Sequence, residues 1–258
     1  MSDVGTTLPR TTPPTPGGRR RRVVAQTHIV LLLTLRRGES VLLSFAIPVL
    51  LLGFFSKVDI LPTGADPVGF LFPGILALAV MSTAMVSLAI ATGFERQLGV
   101  LKRLGVTPLR RGELLAAKTL AILLIEVLQV LILTAEAYLL GWRPHDPAVL
   151  ALIGAMLLGT VAFAGLGLLM AGVLPALTTL AAANGLYLVL LLLGGMIVPL
   201  AKLPAPLRTL SRALPAGALS DACRGALTLG TVPTHAWVVL ACWAVVAPIL
   251  AAATFRWE

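Results

Sequence analysis

A handful of polar side chains stand at one-sided spacing inside a run that is otherwise apolar. Between Leu114 and Leu140 the chain carries Lys118, Thr119, Glu126, Gln129 and Glu136. At 100° per residue these fall within about 100° of one helix surface. Glu126 lies roughly 18 Å into such a helix. A charged group at mid-membrane costs about 2.5–3.5 kcal/mol on insertion scales, so this stripe must face protein or water. Two chemistries fit it. Glu126 and Gln129 could line a path that favours cationic or polar groups, or they could hydrogen-bond between helices and hold a bundle. A third use is proton carriage by Glu126 and Glu136, as in an ion-driven secondary transporter or a membrane-embedded enzyme. Asn184 is a second polar group at depth, in another apolar run, and reads as an interhelical hydrogen bond or a path residue.

Other chemistry is missing. No G-x-x-x-x-G-K-[ST] run is present to cradle a nucleotide phosphate, so the chain has no means of hydrolysing ATP itself. There is no nucleophile elbow and no H-E-x-x-H helix. His28, His145 and His235 are scattered without metal-ligand spacing, and Cys223 and Cys242 imply no disulfide framework. The reading is a chain with no catalytic residue, no metal site and no cofactor of its own.

The elements that must position the stripe follow from composition. Of 258 residues, 58% are apolar and only 12% charged, about half the charged share of a soluble domain. Several apolar runs exceed the roughly 20 residues needed to cross a bilayer. Spans are expected at about 39–55, with a kink at Pro48, and at 69–93, 114–140, 148–173, 177–200 and 237–255. Residues 1–22, rich in Thr, Pro and Gly and ending in Arg19 to Arg22, read as a disordered basic tail beside anionic lipid. The remaining 23–258 form one membrane domain. Its first part, 23–37, is too short to span and fits a helix on the membrane surface. The net charge of +9 follows from topology rather than from nucleic acid binding. With the N-terminus inside, fourteen Lys and Arg fall on the cytoplasmic side and six outside, so both termini are placed in the cytoplasm.

The one long polar interruption in the first two-thirds of the apolar sequence is Phe94–Lys118, with Arg96, Lys102, Arg103, Arg110, Arg111 and Lys118 against Glu95 and Glu113. Leu98, Leu101 and Leu104 recur every three residues, which predicts a short amphipathic helix. Gly105 suits its end, and Thr107-Pro108 suits the start of the next helix. On chemistry alone this is a basic elbow between two spans. Farther along, Pro204, Pro206 and Pro215 punctuate 201–235. Two short helices there, one with Leu207, Leu210 and Leu214 on a face and one over 217–229, either dip into the membrane and return or lie on its outer surface.

The run Glu95-Arg96-Gln97-Leu98-Gly99-Val100-Leu101-Lys102-Arg103-Leu104, with Thr107-Pro108-Leu109 and Glu113-Leu114-Leu115, resembles the cytoplasmic loop of ABC-2-type ABC transporter permeases, including daunorubicin-resistance-type subunits. Gly194 to Leu200 and Asp221 to Leu227 are similar to the last region of the same family. The resemblance implies an all-α membrane fold of six transmembrane helices. It adds an N-terminal interfacial helix, a cytoplasmic coupling helix and an outer re-entrant hairpin. Glu95, Arg96, Leu98, Leu101, Lys102, Arg103, Thr107 and Pro108 would then meet a separate ABC ATPase, which binds ATP and Mg and is present in two copies. A second membrane subunit, identical or paralogous, would complete an exporter in the bacterial cytoplasmic membrane. The substrate would be drug-like or lipid-like, with import left open.

Overall fold

The computed structural model describes residues 18–36, 38–58, 66–100, 111–144, 146–197, 199–202 and 204–254. Among them every regular element is helical. In chain order these are α1 (Arg19–Arg36), α2 (Gly38–Phe55), α3 (Pro67–Gln97), α4 (Arg111–Leu139) and α5 (Val149–Val173). They continue with α6 (Ala176–Leu193), α7 (Ala205–Ala213), α8 (Pro215–Arg224) and α9 (Thr234–Thr254). Helices α3, α4, α5, α6 and α9 are long and apolar enough to cross a membrane, while α2 holds a shorter apolar stretch, Ser44–Phe55.

Helix α3 is the centre. Its apolar window is 72% buried, against 22% for α6 and for α9, so the other helices are arranged around it. It starts on Asp66, whose side chain accepts from the Gly69 amide at 2.8 Å, with Pro67 in the first turn; this is an ordinary acidic cap with proline where no amide is missed. Midway, Met81–Ser87 widens into a π-helical turn. A Cβ on Gly167 of α5 would sit 2.6 Å from the Met85 carbonyl oxygen. The glycine therefore lets the two backbones touch at that turn. Gly165, two residues earlier and so on nearly the opposite side of α5, meets the α9 backbone at Ala247 and Pro248 in the same way.

Several expected boundaries shift. Helix α1 begins at Arg19, so the four arginines assigned to the tail belong to its first turn. The fifth span does not run to Leu200. Helix α6 stops at Leu193, and Gly195 turns left-handed at φ 64°. The break serves packing, because the freed carbonyls take side-chain donors: Ser211 bonds the Leu193 carbonyl, while Ser220 and Arg224 bond that of Gly195 at 3.3 and 3.0 Å. The short turn between fourth and fifth spans is as read, with Leu174 and Pro175 extended between α5 and α6. The two short helices after α6 are also present. They part at Leu214, which is extended. Helix α8 is buried among α3, α5 and α9, and α7 lies outside it, mostly exposed.

Candidate functional site

The elbow begins where α3 ends. Gly99 adopts φ 69°, and the Leu98 and Gly99 amides close back on the Phe94 and Arg96 carbonyls at 2.9 and 3.0 Å. A left-handed residue ends a helix in this way at little cost only when it is glycine. The break therefore falls after Leu98, not first at Gly105, and Leu98 ends the spanning helix instead of opening a separate rod. Leu98 is 73% exposed and Val100 is exposed beside it. Leu101, Lys102, Arg103, Gly105, Thr107 and Pro108 lie outside the described residues.

Two adjacent residues in the last turn of α3 reach in different directions. The Glu95 carboxylate pairs with Lys118 Nζ of α4 at 2.6 Å. That ammonium also donates to Thr92 Oγ1 at 3.1 Å and is 1% exposed. Arg96 donates to the Gly172 and Leu174 carbonyls, each at 2.5 Å. Those carbonyls close α5, where the last turn has no intrahelical donors, and a cation is favoured there. Thr179 of α6 adds a donor to the Leu174 carbonyl at 3.2 Å. Arg96 also fixes geometry, because it puts the elbow and the α5–α6 turn at the same end of the bundle. A groove of about 420 Å³, lined by Gly93, Arg96, Gln97, Gly99 and residues 175–177, opens between them.

The N-terminal helix joins this end. Arg22 makes a two-pronged pair with Glu113 in the first turn of α4, at 2.8 and 3.2 Å, and Thr27 reaches the Ala117 carbonyl at 3.4 Å. Glu113 also complements the positive start of the helix dipole. The base of the elbow is thus tied to α1, α4, α5 and α6.

Deeper in α4 the polar stripe points inward, toward a different neighbour at each level. Gln129 accepts from Thr83 Oγ1 at 3.0 Å, on the π-turn of α3, and donates to the Ser44 carbonyl of α2 at 3.1 Å. Glu126 accepts from Thr160 of α5. Glu136 lies beside Gly53 of α2, where a Cβ would approach its Oε1 to 3.1 Å. Glu126 and Gln129 are both buried within this chain. Asn184 differs from its reading. It is exposed, and its amide donates to the Leu180 carbonyl of its own helix at 2.9 Å, so it makes no interhelical hydrogen bond among the described residues.

Sequence reasoning missed the partners Thr83, Thr92, Thr160 and Ser44, and it missed that Lys118 belongs with Glu95. For the three threonines the available signal was a hydroxyl in an apolar run, which in a membrane is a ready mate for a buried amide or charge; Ser44 takes part through its backbone carbonyl, which no side-chain pattern marks.

Spanning helices gathered round a buried central one and tied at one end by a basic elbow define a multi-pass membrane protein with the layout of a transport permease. The family model for the ABC-2 type transporter matches residues 24–228, about four-fifths of the chain, and the chain belongs to that family. No curated protein matches it. It is accordingly the permease subunit of an ABC transporter, in a family of transport proteins, not enzymes, that normally works with an ABC ATPase.

Proposed function

We propose that this chain is the membrane subunit of an ATP-driven exporter in the bacterial cytoplasmic membrane, with both termini in the cytoplasm. Two copies of a separate ATPase bind the ATP and Mg, and a second membrane subunit, identical or paralogous, completes the path. The substrate is hydrophobic or amphipathic, drug-like or lipid-like.

One observation carries the reading: Glu95 and Arg96, side by side at the foot of the elbow, grip different neighbours. A push on residues 98–104 therefore moves α3, α4 and the α5–α6 turn together instead of bending one helix. Closure of the ATPase pair would tilt these segments as a unit and squeeze the path between the two membrane subunits. Leu98 and Leu101 are the docking anchors, with Lys102 and Arg103 as a polar rim and Thr107 and Pro108 completing the contact. Glu95 and Arg96 act from behind them, as ties.

Among the path candidates, the burial of Glu126 and Gln129 favours holding the bundle. Exposure of Asn184 on α6 supports its bordering a space between subunits. Proton carriage by Glu126 and Glu136 is the weaker reading, since ten residues of helix separate them by about 15 Å.

The test is Leu101→Asp in the reconstituted transporter. Hydrolysis without transport is the expected result, and intact transport per ATP would refute the docking role.

A further inference from the structure

We propose that α7 seats the complex on the membrane face opposite the elbow by binding anionic phospholipid headgroups. This seat depends on the membrane-spanning fold and not on the mode of transport. Arg96 fixes the α5–α6 turn at the elbow end, and α6 crosses from there, so α7 follows at the far end. It is held from behind: Ser211 bonds the Leu193 carbonyl, and Trp243 Nε1 of α9 donates to the Ala213 carbonyl at 3.0 Å.

Around this short helix, Leu207 and Leu210 lie about 60° apart, and Arg208 and Arg212 about 40° apart. The centres of the two pairs are separated by roughly 150°. Buried Ser211 falls between them and faces the protein. One free edge is therefore leucine and the other arginine. Both leucines are exposed, and Lys202, just before the helix, is exposed as well. Among the described residues no carboxylate pairs with Lys202, Arg208 or Arg212. A helix with its apolar edge in acyl chains and its cations at phosphate level is the arrangement that a bilayer interface stabilises.

Hydrogen exchange of the full chain in nanodiscs tests this, comparing phosphatidylcholine alone with phosphatidylcholine plus phosphatidylglycerol. Amides of 205–213 should be more protected with phosphatidylglycerol. Each cation changed to Gln should reduce that difference about fivefold. Arg208→Lys with Arg212→Lys should keep most of it, and high salt should erase it in the unaltered chain. The salt arm needs no variant, so a misfolded mutant leaves the proposal open to refutation. Equal protection in both lipids overturns it. So does protection that follows protein concentration instead of lipid charge, which would mean that a second copy covers the helix.

Discussion

Lys118 is a cation enclosed by protein, and Glu95 is the acid that neutralises it. For charges 2.6 Å apart the attraction is about 6 kcal/mol at an effective dielectric of about 20, part of which offsets the cost of desolvating the lysine. The two ends are unequal, because the Lys118 side chain is 2% exposed and that of Glu95 21%. Glu95→Gln strands a charge that water cannot reach, so about 3 kcal/mol of stability should be lost. Lys118→Met strands a carboxylate that water does reach, and about 1 kcal/mol should be lost once solvent screening is allowed for. The double variant has no charge left to strand and should return to within about 1 kcal/mol of the parent. Equilibrium unfolding of the purified chain in mixed micelles measures all three. Equal losses in the single variants, or a double variant whose loss is their sum, would refute a tie between α3 and α4 built on this pair.

Arg96→Lys keeps the charge but not the planar fork. It should lower transport per ATP hydrolysed while leaving hydrolysis and the amount of folded protein largely unchanged, as read in proteoliposomes. Gly74→Ala would place a Cβ 1.9 Å from the Met196 carbonyl oxygen, whereas at Gly185 nothing lies within 4 Å. The first should cost about 3 kcal/mol and the second less than about 1 kcal/mol in the single chain, by the same unfolding assay. Glu126→Gln keeps an acceptor for Thr160 and should leave the substrate profile unchanged, whereas Asn184→Leu should alter it; a panel of transport assays separates them.

How far the fold was readable depended on what a membrane does to the hydrophobic signal. In water an apolar face marks the core. In a bilayer both lipid and core are apolar, so α3 and α9 read alike although one is central and the other peripheral. The polar stripe of α4 was legible because a carboxylate is costly in lipid and must turn toward the protein. Asn184 misled for the same reason in reverse: its depth in the sequence was clear, its direction around α6 was not. The end of α6 was hidden because Met196, Ile197 and Val198 continue the apolar run past Gly194-Gly195, so hydropathy gave no sign of the left-handed turn. At the elbow, Glu95, Arg96 and Lys118 were read as marks of the cytoplasmic boundary. That Glu95 grips Lys118 while Arg96 grips the end of α5 depends on which helices are neighbours, and no local pattern carries that.

The most direct test is to purify the tagged chain in mild detergent and ask what accompanies it and what drives it. The account predicts an ABC ATPase subunit in stoichiometric amount, its retention with Gln129→Leu, and no substrate movement in liposomes from which the ATPase has been stripped. A chain that purifies alone and moves substrate at full rate in those liposomes would contradict it.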